Sequence, residues 1–210
     1  MTYILEYDIF GRQQQYDAAL LYLRNHVMQL PDNLRELCMI VLEDEKFLEI
    51  PASCQWHHVY DGGTVIHTAE VLEIALNILK AKPIDADRNV LIVSIIWHDY
   101  GKIKDYKKWW SPHDPMIKSK GNTSYEYAPH HDLISHLPRS YHEFLKHAER
   151  FDVPEEFSQK VEHCIIAHHG RKEWRSPAEP QTPEAYIIHF ADMLSLNACK
   201  DKYVRTDIAE

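Results

Sequence analysis

The stretch Val90 to Trp97, VLIVSIIW, is apolar at every position except Ser94, and it runs directly into His98 and Asp99. A segment with no polar face has to sit centrally, and whatever follows it starts from the interior. A carboxylate is rarely buried without a partner, because isolating its charge from water is very costly. Neighbouring His and Asp offer a nitrogen and an oxygen ligand from one turn of chain, which suits a divalent ion. Propensity alone makes VLIVSIIW a buried strand, and periodicity does not decide. The neighbours do: they read as helices, and no second strong strand offers to pair. A buried central helix over Val90 to Tyr100 is therefore expected.

Most of the chain carries helical patterning. Arg12 to Leu30 places Ala19, Leu20, Leu23 and Val27 on one stripe and stops at Pro31; Asp32 then caps a second helix. Pro51 to Gly63, PASCQWHHVYDGG, reads as a loop containing His57 and His58. Thr64 to Lys80 is helical with two apolar stripes, and His67 falls on one of them near the start. Residues 111–129 read as loop, and a helix follows from Ser135 to Arg150 with Pro138 in its first turn. Another runs from Pro154 to His169, closed by Gly170, and a last one opens at Thr182-Pro183 and reaches about Lys200. The fold class is all-α, a single-domain helical bundle with any strands minor. Residues 1–50 are assigned to N-terminal helices packing on the core, 51–200 to the core and 201–210 to a tail.

At 210 residues, 45 % hydrophobic and 26 % charged, the chain can bury a full core. No apolar run approaches the ~18–20 residues of a membrane span, and the N-terminus does not read as a signal peptide. The scattered Cys38, Cys54, Cys164 and Cys199 form no CxxC pair, so reduced thiols and a cytoplasmic setting are expected. A formal charge of −9 argues against a duplex-coating protein. Locally, Lys102 to Lys120 holds six lysines against Asp105 and Asp114, with Trp109 and Trp110 inside it. That stretch reads either as a solvated loop plugged by two aromatics or as a phosphate-attracting flap offering stacking faces.

Three helices each aim a polar residue inward. His168 lies within the face formed by Phe157, Val161, Cys164 and Ile165, and His169 points about a quarter-turn away at ~100° per residue. Asp192 aligns with Ala185, Ile188, Leu196 and Cys199. Taken singly, each is a core histidine satisfied by a carbonyl or an aspartate paired with an arginine. Together with His67 and His98-Asp99 they can build a nitrogen and oxygen site in a bundle interior.

PASCQWHHVYDGGTVIHTAEVLEIA, IIWHDYGKIKDY, IIAHHGRKEWRSPAEPQTPEA and IIHFADMLS, in that order, resemble the HD-domain metal-dependent phosphohydrolase superfamily, and within it the catalytic domain of YhaM-type 3′→5′ exoribonucleases. The resemblance covers roughly residues 51 to 200. It implies that His67, His98, Asp99 and Asp192 hold one metal, and that His136 and His168 hold a second with Asp99 bridging. Two divalent ions are implied, Mn2+ or Fe2+ first, with Co2+, Ni2+ or Mg2+ as substitutes. Lys102 would meet the substrate phosphate, with His169, His57, His58 and Arg171 around it; Trp174, Trp109 and Trp110 would shape what lies beyond. Asp99, Lys102 and His169 are the catalytic candidates.

The family pattern around the mid-chain histidine is Gly-His-Ile, whereas this chain has Ser135-His136-Leu137-Pro138, so His131 and His130 stand as alternatives. The exoribonucleases carry an N-terminal OB-fold, and the first 50 residues here do not read as one. The His57-His58 loop also resembles the HD-hydrolase domain of certain conjugative relaxases. The expected activity is phosphodiester hydrolysis in short single-stranded nucleic acid or nucleotides. A nucleotidase or nucleoside-triphosphate hydrolase, and a catalytically silent metal-binding interaction module, are the alternatives.

Overall fold

Asp87 settles the conformation of the central apolar run. Its carboxylate accepts hydrogen bonds from the backbone N–H of Asn89 (2.7 Å) and Val90 (3.3 Å), satisfying two donors that a helix start leaves open. The run is the helix α5 (Arg88–Trp97), and every residue from Val90 to Trp97 is buried. Strand propensity loses because helices surround the segment on every side, and fully burying one such aliphatic side chain contributes roughly 1.5–3 kcal/mol in either conformation.

The computed structural model describes residues 2–54, 56–81, 83–108 and 125–198. Before α5 come α1 (Thr2–Val27), α2 (Asp32–Leu42), α3 (Glu45–Glu49) and α4 (Gly63–Ala81). After it come a 3-10 turn (Tyr100–Lys104), β1 (Tyr106–Lys108), β2 (Tyr125–Tyr127), α6 (His136–Arg150), α7 (Glu155–Ala167), a 3-10 turn (Lys172–Trp174) and α8 (Pro183–Ala198). The helix α5 packs against α1, α2, α4, α6, α7 and α8, while α8 lies along α4 and α6 along the first 3-10 turn. Trp97 fixes the end of α5, meeting Tyr100 and Phe144 edge to face at centroid distances of 4.9 and 5.8 Å. Among the described residues no helix is long and apolar enough to cross a membrane.

Several boundaries differ from the sequence expectation. Asp32 does not cap α2: Pro31 holds that position, and Asp32 pairs with Arg35 at 2.8 Å instead. The helix α5 stops at Trp97, short of Tyr100, because the chain turns at His98 and Asp99. Tyr125–Tyr127, expected as loop, pairs antiparallel with β1, Tyr127 opposite Tyr106. Three residues are too few for an alternating pattern to register, and a cross-strand Lys107–Glu126 pair at 2.9 Å supports the ribbon. The helix α7 ends at Ala167, since His168 is already its C-cap and Gly170 turns left-handed at φ +83°.

Gly101 sets how closely α6 approaches the end of α5. A Cβ there would lie 2.3 Å from the His136 carbonyl oxygen and 2.6 Å from the Ser140 nitrogen. The Gly101 N–H also donates to Ser140 Oγ at 2.8 Å. Gly101→Ala should therefore lower stability by roughly 1–3 kcal/mol, the usual range for forcing a methyl into packed space. Urea unfolding measures this; an unchanged midpoint would mean that α6 shifts without cost.

Candidate active site

The turn that ends α5 places the first two side chains. His98 is the C-cap of the helix, Asp99 has bridge-region backbone (φ −105°, ψ 3°), and the Lys102 N–H returns to the Asp99 carbonyl at 2.9 Å. Asp99 Oδ2 pairs with Lys102 Nζ at 2.6 Å, and that ammonium also donates to the Ala52 carbonyl at 2.9 Å. Because α6 starts against Gly101, His136 enters the same interior.

Asp99 stands between two sets of imidazoles. Its Oδ2 faces His67 Nε2 (3.6 Å) and His98 Nε2 (3.3 Å), and its Oδ1 faces His136 Nε2 (3.4 Å) and His168 Nε2 (4.0 Å). Asp192, from α8, brings Oδ1 to 3.1 Å from His67 Nε2. Ligand atoms of His67, His98 and Asp99 lie within 4.8 Å of one another, as do those of His136, His168 and His169.

The outer nitrogens say what the inner ones carry. His98 Nδ1 sits 2.6 Å from the Ile95 carbonyl and His168 Nδ1 sits 2.7 Å from the Ile165 carbonyl. A carbonyl oxygen only accepts, so each ring in its neutral form spends its N–H there and presents an Nε2 lone pair toward Asp99. Lone pairs then face carboxylate oxygens across 3.3–4.0 Å with no proton to share. His98 Nε2, Asp99 Oδ1 and His136 Nε2 have no hydrogen-bond partner among the described residues. Buried acceptors aimed at one another are costly unless a cation lies among them. This donor set, imidazole nitrogens plus carboxylate oxygens, fits divalent Mn, Fe, Co, Ni or Zn.

Burial sets the electrostatics. It holds the His67 imidazole below its ordinary range, and His136 and His168 fall well below it for the same reason. Burial would push Asp99 up, but the Lys102 ammonium and the His98 ring outweigh it and hold the carboxyl well below the usual range. Asp192 behaves alike, with His67 prevailing over burial. Asp105, beside Arg139, is the exception: burial pushes it up to about 6. Burial would lower His98 too, but the Asp99 carboxylate outweighs it and holds His98 above its ordinary range. The site thus sets anionic carboxylates among imidazoles of which His67, His136 and His168 are held toward the neutral form.

A cleft of about 820 Å³ opens over Asp99, Lys102, His136, His169 and Asp192. Its walls include His57, Trp56, Tyr127, His131, Trp174 and Arg175. His57 is buried with both ring nitrogens unpartnered among the described residues. His169 gives Nδ1–H to the Trp174 carbonyl at 3.0 Å, tying that wall to the end of α7.

Not every residue expected at the site is there. His58 is buried away from the cleft, between Tyr60 and Glu70. Arg171 lies over the Trp174 ring at 5.3 Å and lines a separate cavity with Tyr186 and Phe190. Adjacent positions on a turn point apart, which reading the motif as a unit does not resolve. Trp109 and Trp110 lie outside the described residues. Of the three mid-chain histidines, His136 reaches Asp99; His130 instead contacts the Lys104 carbonyl, and His131 stacks on Tyr127 at 4.3 Å. Sequence reasoning missed Arg175, which carries a left-handed backbone (φ 62°) and turns toward the cleft rather than Arg171. It also missed Trp56, 61 % exposed on the rim, whose loop gave no periodic signal. Ser195 and Glu70 escaped as well, although each stands three residues from an inward ligand candidate, Asp192 and His67.

A helical bundle whose helix ends converge on a buried His and Asp cluster is the architecture of a metal-site protein, and the comparisons name its kind. The family model for the HD domain matches residues 64–197, and the chain belongs to the HD-domain family. Among curated proteins it is similar to the 3′-5′ exoribonuclease YhaM of Geobacillus sp. (strain WCH70), 30 % identical over 169 residues, or 80 % of this chain and 48 % of that protein. The YhaM of Bacillus subtilis (strain 168) is 30 % identical over 156 residues, 74 % of this chain and 45 % of its own length. That of Bacillus pumilus (strain SAFR-032) is 31 % identical over 150 residues, 71 % and 43 %. The chain thus spans slightly under half the length of the curated relatives it matches. No solved structure matches it significantly.

Added Mn2+ should raise the unfolding temperature of the native chain, with stabilisation reaching about 2.7 kcal/mol at a hundredfold excess over Kd. Asp99→Asn should abolish that shift. A thermal-shift titration reads both, and an equal shift in the two proteins would remove Asp99 from the metal site.

Proposed function

We propose that this chain, a metal-dependent phosphohydrolase of the HD-domain type, is a phosphodiesterase that cleaves short single-stranded nucleic acid or nucleotides, working in from the 3′ end. The observation that carries the reading is the Asp99 carboxylate with one oxygen toward His67 and His98 and the other toward His136 and His168. That arrangement suits a carboxylate shared by two ions, with His67, His98, Asp99 and Asp192 around one and Asp99, His136 and His168 around the other. Two bound divalent ions would lower the pKa of a water and neutralise charge growing on the phosphoryl group.

The chain's own groups do the rest. Lys102, fixed by Asp99 and the Ala52 carbonyl, directs its ammonium at the cleft floor, where it offsets phosphate charge. His169 presents Nε2 to the same floor, because its Nδ1–H is committed to Trp174, and is placed to take a proton from the attacking water. His57 offers buried nitrogens beside His67, with the two ring centroids 4.8 Å apart. Trp56, Trp174 and Tyr127 supply flat faces on the walls, and a stacked base is worth roughly 1–3 kcal/mol. The names of the YhaM relatives supply the 3′-5′ direction. The scattered cysteines fit a reducing, cytoplasmic setting. One observation favours nucleotide hydrolysis as a second reading: the cleft's ~820 Å³ falls within the size range of ordinary small-ligand pockets.

A panel of 3′-hydroxyl oligonucleotides, duplexes, dinucleotides and nucleoside triphosphates, assayed with Mn2+, separates these readings. Short single strands and dinucleotides should be cleaved, blunt duplex should resist, and chelation should stop the reaction. Lys102→Ala should lower turnover by roughly 10²–10³, and Trp174→Ala should raise KM with little effect on kcat. Turnover confined to triphosphates would favour the second reading, and steady duplex cleavage with single strands untouched would reject both.

A further inference from the structure

His67 is met at both ring nitrogens by residues one turn apart on α8. Asp192 Oδ1 lies 3.1 Å from Nε2, and Ser195 Oγ lies 2.9 Å from Nδ1. A neutral imidazole carries one N–H, so two arrangements compete. With the proton on Nε2, the ring donates to Asp192 and accepts from the Ser195 hydroxyl; the nitrogen facing the cluster is then blocked. With the proton on Nδ1, the ring donates to Ser195 Oγ and Nε2 keeps its lone pair. The two α8 contacts by themselves allow either.

Glu70, one turn beyond His67 on α4, sets the Ser195 side of this competition, while the Asp192 carboxylate pulls the proton toward Nε2. Its Oε2 lies 2.7 Å from Ser195 Oγ and 3.0 Å from His58 Nε2. An ionised carboxylate only accepts, so the one hydroxyl proton of Ser195 goes to Glu70, and Ser195 accepts from His67. Burial would push the Glu70 carboxyl up, but donation from His58 and Ser195 prevails and holds it below its ordinary range. His58 in turn lies 2.6 Å from the Tyr60 hydroxyl at Nδ1, which leaves Nε2–H to point at Glu70. Donors from both ends of this chain therefore run toward one carboxylate. Glu70 and His58 face a separate cavity of about 540 Å³ beside α1, which shares no lining residue with the cleft.

We propose that Glu70, acting through Ser195, is a positioning residue that biases His67 toward its Nδ1–H tautomer against the pull of Asp192 and so helps keep Nε2 available as a ligand; this rests on the metal reading above. The same contacts place a negative charge behind the ring, which strengthens Nε2 as a donor to a cation.

Glu70→Gln tests it. The amide is close to the native side chain in size but can donate to Ser195 Oγ, which turns the Ser195 proton toward His67 Nδ1 and moves the ring proton to Nε2. Calorimetric titration of the full chain with Mn2+ should show affinity weakened by roughly 10–100-fold in Glu70→Gln. Ser195→Ala should weaken it comparably, and the double variant should be no weaker than Ser195→Ala alone, since Glu70 works only through that hydroxyl. Side-chain 15N NMR of the metal-free proteins should find a larger Nδ1–H share for His67 in the native chain than in Glu70→Gln, where the proton moves further toward Nε2 and Asp192. Should Glu70→Gln fold poorly in urea titrations, Glu70→Ala at this partly exposed position carries the same measurements, with a smaller loss expected. Native affinity and an unchanged His67 tautomer in the Glu70 variants would overturn the proposal while leaving the metal reading intact. A native chain that binds no Mn2+ would end the metal reading, and the NMR comparison would still decide the tautomer.

Discussion

The burial of Asp99 is the constraint to which the rest of the molecule responds. The carboxylate is 1 % exposed at the end of the most buried helix, and taking an ion out of water carries an effective penalty of several kcal/mol. Lys102 at 2.6 Å answers one oxygen in part. Among the remaining neighbours, His67, His136 and His168 are imidazoles held toward the neutral form by their own burial, and His168 spends its N–H on the Ile165 carbonyl and so presents a lone pair. A site of converging acceptors stabilises a bound cation more than it stabilises the empty fold. Binding and folding are therefore coupled here.

The scaffold serves this convergence by helix ends and close approaches. The ligand candidates come from the second turn of α4, the start of α6, the C-caps of α5 and α7, the residue after the α5 cap and the third turn of α8. Two glycines permit it: Gly101 lets α6 touch the turn after α5, and Gly170 leaves room for the His189 ring, whose Nδ1 meets the His168 carbonyl at 2.8 Å. Side chains on such packed elements have few alternative rotamers, which is how a multi-ligand site keeps its geometry. The helix α8 has two tasks on one face, since Asp192 addresses the inner nitrogen of His67 and Ser195 the outer one.

Charge explains why recognition has to be local. The chain carries −9 overall, so its general field repels polyanions. On the proposed function, attraction would come from the cleft floor, where Lys102 and any bound ions would concentrate positive charge, and from Arg175 and the aromatic walls. On the same proposal, that arrangement would suit a substrate that threads one phosphate to the floor with its bases loose, and would disfavour a rigid duplex.

Helix content, the central place of VLIVSIIW and the inward His and Asp residues could be read from the chain, because apolar periodicity and the cost of burying charge are local properties of sequence. So could the order of the motifs, and with it the family. Strand content was less legible: β1 and β2 are three residues each, below the length at which alternation shows. The division of labour within motifs needed the tertiary structure. Of His57 and His58, only His57 lines the cleft, and of Arg171 and Arg175 only Arg175 does, because a positive φ at His58 and at Arg175 swings neighbouring side chains apart. His136 rather than His130 or His131 faces Asp99 because Gly101 draws in the first turn of α6. The Glu70–Ser195–His67 chain joins residues 125 apart in sequence across the α4–α8 contact. A hydrogen bond's direction depends on which donors and acceptors packing brings within 3 Å, and no spacing along the chain encodes that.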